Sequence, residues 1–288
     1  MSIKPRPGSS IGVLTEKIKN RIYWFPLVIL VVWTLFPLFW GLSASFKEYA
    51  EVYQVPPKIF PGSLNLRAYE VVIQSRDFFV YVLNSTYLAI ASSVIAVSVS
   101  ILAAYGFARY KFRFSGFLIL LILIPRIIPR ASLIIPLFQM MATFGLLNTY
   151  GGLIITYVAT AIPLNTMVLT GFFRAIPRAL EDAAEVDGAK LWQRIWYVVL
   201  PMSIPALVTV SVMSLREAWN EFPFVLALTT STEKRTLPYR LFMLRDAMGI
   251  EDWPVVLAFT VLTIIPVLTF YLIFQKKVTS GLVSGAIK

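Results

Sequence analysis

The sequence contains no cysteine and no histidine. Thiol chemistry, disulfide frameworks, zinc sites built on these ligands and every triad that needs an imidazole base are thereby excluded. Charge is scarce as well. Asp, Glu, Lys and Arg make up 14% of the 288 residues, against about 25% in a soluble domain. The scarcer sign is negative, with 15 acidic residues against 26 basic and a net charge of +11. Apolar residues fill the difference: 58% of the chain is hydrophobic and the mean hydropathy is +0.74. A water-soluble fold of this size has no interior large enough for that surface, so most of the chain belongs in lipid.

Charge is absent altogether from Ile22 to Phe46, Phe78 to Ala108, Ala131 to Phe173, Ile195 to Leu215 and Trp253 to Gln275. A helical span needs about 20 apolar residues. The third run is long enough for more than one span and is interrupted by the turn-like Gly145–Gly152. The fourth continues to Leu228 if Arg216, Glu217 and Glu221 are carried into the membrane. The pattern predicts an all-α integral membrane protein with six transmembrane helices, over 22–45, 80–106, 116–142, 151–173, 202–228 and 253–275. A β-barrel is excluded, because the runs are too long and lack period-2 alternation. The first run is too long for a signal peptide, and no small-residue cleavage site follows it, so it reads as a retained span.

The organisation expected is a tail over 1–21, a first span over 22–45, a loop over 46–79, a core over 80–275 that includes a loop over 174–201, and a tail over 276–288. Fifteen basic residues fall in the two tails and the loops at 109–113 and 174–194, against eight in the alternate, longer loops. The positive-inside rule then puts both termini in the cytoplasm. Tyr23, Trp24, Trp40, Trp196, Tyr197 and Trp253 lie where interfacial aromatic belts are expected. Val55–Gly62, rich in proline, reads as an ordered connector in the first external loop. Asn84, Ser85, Thr86, Ser92 and Ser93 suit close helix–helix contact.

The loop over 174–201 is more than a connector. Pro177 suits a helix start, Glu181, Asp182 and Glu185 suit the positive end of the helix dipole, and Gly188 suits a stop, giving a short helix over about 177–187. Leu191 to Leu200 forms an amphipathic piece leading to Pro201 and Pro205. Asp182-Ala183-Ala184, Gly188, Val198 and Leu200-Pro201 keep the spacing of the Glu-Ala-Ala loop that marks permease subunits of ABC importers. The chain resembles that family over nearly its whole length. Asp187-Gly188-Ala189 is similar to the carbohydrate-uptake branch, near its six-helix maltose permeases. Further matching stretches are Tyr105–Phe112, Arg126–Pro129, Ile135–Phe138, Trp219–Phe222, Thr236–Pro238 and Gly281–Lys288. Asp182 stands where the motif has Glu, and Val198 where it has Ile.

The resemblance implies a type I ABC importer transmembrane domain in the inner cell membrane. It makes the short helix a cytoplasmic coupling helix, with Glu181, Asp182, Ala183, Ala184, Asp187 and Gly188 meeting an ATPase. The implied partners are a second homologous permease forming a heterodimeric pore, two cytoplasmic ABC ATPase subunits and an extracytoplasmic binding protein that delivers a disaccharide or oligosaccharide. No nucleic acid is implied. No phosphate-binding G-x-x-x-x-G-K-[ST] loop occurs, so no cofactor is expected on this chain, and ATP and Mg belong to the partner ATPase.

Ionisable residues inside spans are functional candidates by default. Arg126 and Arg130 sit four apart on the third helix. Arg216, Glu217, Asn220 and Glu221 follow on the fifth, with Glu217 and Glu221 four apart. Arg126 lies about 15 Å and Glu217 about 20 Å from the same side, so ion pairs across the two helices are expected, either as structural glue or as lining of a pathway. Phe138, Tyr150, Tyr157, Phe222 and Phe224 are either packing residues or a platform for a sugar ring. A secondary transporter or channel that uses Glu217 and Glu221 as proton-linked carboxylates is the rival reading, and the Glu-Ala-Ala spacing speaks against it. An enzyme is not expected, since no nucleophile–base pair is recognisable.

Overall fold

The computed structural model describes the backbone of residues 10–244 and 252–286 and the side chains of 24–244 and 252–275. Lys4, Arg6, Arg245 and Lys288 lie outside the described residues, as do the side chains of Lys17, Lys19, Arg21, Lys276 and Lys277 and most of the expected tails. All regular structure among the described residues is helical. The chain forms two compact units, one of residues 10–72 and 252–261, the other of 73–244 and 262–286.

In the first unit, α1 (Ser10–Ser45) is one continuous helix whose part from Trp24 onward is long and apolar enough to cross a membrane. The loop after it is built, as its prolines suggest, and holds α2 (Tyr49–Val52) and the start of α3 (Arg67–Gln74). Lys47, one of the eight basic residues of the longer loops, is buried. Its Nζ donates to the Lys58 carbonyl and sits 4.7 Å from the centre of the Trp40 ring. Ser45 and Tyr69 share a hydrogen bond of 2.7 Å, the Asn65 N–H donates to the Phe46 carbonyl at 3.0 Å, and Arg67 pairs with Asp252 at 3.2 Å.

The second unit begins with α4 (Phe78–Arg109). Two helices follow it, α5 (Ser115–Ile127) and α6 (Arg130–Thr143), then α7 (Tyr150–Ala175) and α8 (Arg178–Val186). Next, α9 (Leu191–Arg194) passes through a π-helical stretch (Ile195–Val199) into α10 (Leu200–Met202) and α11 (Ile204–Trp219). The short α12 (Pro223–Leu228) and α13 (Leu237–Met243) complete it, and the last helix, α14 (Trp253–Ala286), runs on from the first unit. Among the described residues four helices are long and apolar enough to cross a membrane, or six spans if each of two bent pairs counts as one.

Those bent pairs correct two expected straight helices. The third span, expected over 116–142, is α5 and α6 meeting at 101°. Pro129 has no N–H to give the carbonyl of Pro125, and Ile128, preceding it, takes extended backbone (φ −74°, ψ 128°). The fifth, expected over 202–228, starts at Ile204 after an 82° bend from the stretch Leu191–Met202 that precedes it, and stops at Trp219. Pro201 and Pro205 withhold donors from the carbonyls of Tyr197 and Pro201, and the turn before Pro201 is π-helical, with the Leu200 N–H donating to the Ile195 carbonyl. Pro223 then restarts the chain as the separate α12.

The core of this unit is α4, α7 and α11 packed on one another. The buried stripe Ser85, Ala89, Ser92, Ser93, Ala96, Ser100 and Ala104 lets helix axes approach closely. Asn165 and Ser214 exchange hydrogen bonds of 2.7 and 3.1 Å between α7 and α11. Asn84 serves another purpose than close packing. Its amide donates to the carbonyls of Glu233 and Arg235, both at 2.8 Å, and accepts from the Tyr150 hydroxyl at 2.7 Å.

Asn148, in the left-handed region at φ 56°, accepts from the Thr230 and Ser231 N–H groups and the Ser231 hydroxyl, each at 3.1 Å. Asn148→Ala removes those acceptors and keeps a Cβ where the backbone disfavours one. The expected cost is about 1–3 kcal/mol for the stranded donors. Asn148→Gly removes the bonds without the left-handed strain of about 1 kcal/mol. Thermal unfolding in detergent should rank wild type above Gly above Ala, and an Ala variant as stable as wild type would refute the assignment.

Candidate functional site

Two polar assemblies stand out in the second unit. The first lies where the bent spans face each other. Arg126 is in the last turn of α5, Arg130 opens α6, Glu217 is near the end of α11, and Glu221 is just past it. Arg126 Nη1 donates to both Glu217 oxygens at 2.9 and 3.1 Å and to the Thr160 carbonyl at 3.3 Å. Arg130 pairs with Glu217 through Nη2 and with Glu221 through Nη1. The other oxygen of Glu221 accepts from the Phe224 N–H at 3.1 Å, and the Asn220 amide donates to the Arg216 carbonyl at 2.8 Å. Each of these last two contacts satisfies a backbone group that a helix end leaves open.

The expected pairing across helices is therefore present, but not for the expected reason. Residues four apart share a face only on an unbroken helix. Here the chain bends between Arg126 and Arg130, and α11 has ended before Glu221. Burial is graded across the cluster: the Glu221 side chain is 3% exposed, Glu217 17%, and the two arginines 38% each. A cleft of about 170 Å³ opens on the arginine side, bordered by Pro125, Ile128, Leu133 and Thr160. Arg216 is exposed and has no carboxylate within ion-pair distance among the described residues.

Of the aromatic candidates, Phe224 and Tyr157 are buried in a core with Leu88, Leu153 and Leu228. Phe222 stacks on Phe242 with ring centres 4.7 Å apart, and Tyr150 is held by Asn84 and covered by Lys234, 3.8 Å from its ring centre. These four pack the protein; Phe138 alone of the set is exposed.

The second assembly is the loop over 174–201. Its helix, α8, starts at Arg178 with Pro177 as the residue before it, and ends in a two-bond cap. Gly188 N–H donates to the Glu185 carbonyl at 3.0 Å and Ala189 N–H to the Ala184 carbonyl at 2.9 Å. Gly188 sits at φ +86°, which explains the glycine there. Glu181 departs from its expected place. It faces inward, receiving the Tyr105 hydroxyl at 2.7 Å and Arg109 Nε at 2.6 Å, with the Arg109 and Glu181 side chains 8% and 6% exposed. Asp182, Ala183, Asp187 and Gly188 face outward, Ala184 is half-buried, and Val186 is 88% exposed.

The basic residues of this region also do more than set orientation. Arg174 and Arg178 donate to the carbonyls of Phe107 and Arg109 at 3.2 and 2.8 Å, closing the C-terminal end of α4. Arg194 pairs with Glu185. Below them Tyr105, Phe173, Ile176, Ile195, Val199 and Val210 form the core that carries the loop. Tyr105 and Arg109 were not among the candidate site residues, although their spacing of four on the last turns of α4 puts both on the face that meets Glu181.

Residues 96–283 match the family described as the binding-protein-dependent transport system inner membrane component. The sulfoquinovosyl glycerol transport system permease of Agrobacterium fabrum is 34% identical, over 90% of this chain and 91% of its own. The trehalose transport system permease of Mycobacterium tuberculosis is also 34% identical, over 94% and 98%. Among solved structures, a bacterial ABC transporter involved in the import of the acidic polysaccharide alginate shares the fold, with a TM-score of 0.77 and 22% identity over 96% of this chain and 99% of that one.

Glu181 and the outward face of α8 should respond differently to substitution. Glu181→Gln strands the Arg109 charge and should lower folded protein in the membrane, at a cost of about 3–5 kcal/mol for a broken buried pair. Adding Arg109→Gln should restore much of it. Asp182→Asn should change stability by no more than about 0.5 kcal/mol. Fluorescence size-exclusion yields of wild type, Glu181→Gln, Arg109→Gln, the double variant and Asp182→Asn test this, and additive losses at 109 and 181 would count against the pair.

Proposed function

The chain belongs to the binding-protein-dependent transport system inner membrane component family, and from that membership we propose that it forms one half of the pore of an ATP-driven sugar importer. It is a multi-pass membrane transport subunit and carries out no chemistry of its own. The other half is a second, homologous permease, so the pore is a heterodimer. Two cytoplasmic ATPase subunits bind ATP and Mg, and an extracytoplasmic binding protein delivers a disaccharide or oligosaccharide. The sugar assignment leans on the trehalose and sulfoquinovosyl glycerol permeases that resemble this chain across most of its length.

The observation that carries the mechanism is the orientation of α8. Its inner side is fixed to α4 by Glu181, while Asp182, Ala183, Asp187 and Gly188 are presented outward beside the exposed Val186. A helix so mounted is suited to receive a partner. Small Ala183 permits close approach, and Asp182 and Asp187 offer carboxylates to basic groups on an ATPase. When two ATPase subunits close on ATP they push α8, and the push is delivered to the spans it is fixed to. Glu181 leaves the set of docking residues and becomes the one that positions α8. The family membership speaks against the rival proton-coupled reading, and the ion pairs with arginines give Glu217 and Glu221 a structural role instead.

This reading places both termini and the loop over 174–201 in the cytoplasm. The absence of native cysteine makes the test direct. Ser115→Cys and Lys190→Cys should react with an impermeant thiol reagent only in inverted vesicles, and Lys58→Cys and Glu233→Cys only in intact cells. Labelling of Lys190→Cys from outside would overturn the topology and the coupling role together. For the coupling itself, Asp182→Lys in the assembled complex should abolish binding-protein-stimulated ATP hydrolysis while complex yield stays at the wild-type level. Full stimulation in that variant would reduce α8 to a connector.

A further inference from the structure

The sugar-importer reading leaves open which of two pore subunits touches the sugar, and this inference rests on that reading. A guanidinium does not face lipid tails; inside a membrane it faces protein or a water-filled cavity. Arg126 lies about 15 Å along the apolar α5, yet its side chain and that of Arg130 remain 38% exposed. Arg216 and Asn220 are exposed at the same level of α11. This side of the unit therefore turns away from lipid, toward water or another subunit.

The exposure has a direction. Glu221 is 3% exposed, Glu217 is 17% exposed and reaches the cleft, and the guanidinium side chains are the most open of the cluster. A guanidinium has five N–H donors. Arg126 makes all its bonds through Nη1, so its Nε and Nη2 have no acceptor among the described residues, and the same holds for Nε of Arg130. Arg126 and Arg130 border the cleft of about 170 Å³ together with Glu217, Thr160 and the apolar Pro125, Ile128 and Leu133. The volume is below the roughly 300–1,000 Å³ of sites for drug-sized ligands, which leaves room for a single ring. The two arginines and two glutamates cancel in charge and Arg216 is not part of the lining, so the cleft itself carries no surplus positive charge to select a carboxylate or sulfonate.

We propose that this subunit contacts the sugar in transit, one neutral pyranose ring at a time. Arg126 and Arg130 donate to ring hydroxyls, and Pro125, Ile128 and Leu133 pack on the C–H face of the ring. The glutamates are positioning residues: they hold the guanidiniums in the plane that the hydroxyls meet.

The test uses the complete transporter in vesicles, with both permeases, both ATPases and the binding protein. Uptake is measured for an array of neutral di- to pentasaccharides and for digalacturonate, and then for the monodeoxy analogues of the sugar taken up fastest. In wild type, loss of the hydroxyl that meets a guanidinium should slow uptake on the order of tenfold. Arg126→Lys and Arg130→Lys keep the charge and the glutamate pairing but lose the planar fork. In the variant of the arginine concerned, parent and deoxy sugar should be transported equally. Discrimination by the binding protein is common to all and cancels. Should a Lys variant fail to assemble, Arg126→Gln combined with Glu217→Gln removes matched charges and is read the same way. An unchanged parent-to-deoxy ratio in every assembled variant overturns the contact, and uptake of digalacturonate ahead of the neutral sugars overturns the neutral-ring assignment. A complete transporter that takes up nothing in the array overturns the sugar-importer reading itself, and the proposal with it.

Discussion

A charge drawn into lipid has to bring its counter-charge along, and so does every backbone group that a broken helix sets free. The cluster of Arg126, Arg130, Glu217 and Glu221 meets both demands at one place. Pro129 breaks one span and Pro223 stops another, and the polar side chains gather where the ladders are interrupted. On a straight helix Arg130 would stand about 6 Å further along than Arg126. The 101° bend brings both opposite the same carboxylate. Glu221 then caps the start of α12 and Asn220 the end of α11, so the breaks and the charges stabilise one another.

The same logic recurs at the end of the unit that carries α8. There α4 stops at Arg109, and its last carbonyls are met by Arg174 and Arg178. The side chain of Arg109 turns to Glu181, which Tyr105 completes. An ion pair this deeply buried adds little net stability over an apolar substitute, but breaking it is costly. Its value is geometric: it fixes which face of α8 is turned inward and therefore which residues are available outside.

Much of this was legible in the sequence because lipid imposes a simple rule on composition. Charge-free runs of span length marked α4 and α7 to within a few residues, and Gly188 marked the end of α8 because the cap there needs a left-handed residue. Charges at matching depth announced the pairing of α5 and α6 with α11. Less legible was the course of the broken spans. Proline tells where a ladder is interrupted but not through what angle the chain turns, so helices drawn straight over 116–142 and 202–228 are bent or ended. The side taken by Glu181 was also hidden. Its position early in a helix suits the dipole whichever way it points, and only the partner face of α4, with Tyr105 and Arg109, decides. The aromatics left two readings open for a related reason, since a ring that could stack on a ligand is chemically the same ring that fills a core, and the packing reading holds for Phe224, Tyr157, Phe222 and Tyr150.

The helix α4 carries both ends of this design. Arg109 at one end grips α8, and Asn84, 25 residues earlier, grips the carbonyls of Glu233 and Arg235. The two grips are about 38 Å apart along an unbroken helix. Proline kinks make its neighbours compliant, whereas α4 has no proline and transmits thrust like a push-rod. A displacement imposed on α8 would arrive at the 233–235 turn with little loss, so the two ends of α4 behave mechanically as one body.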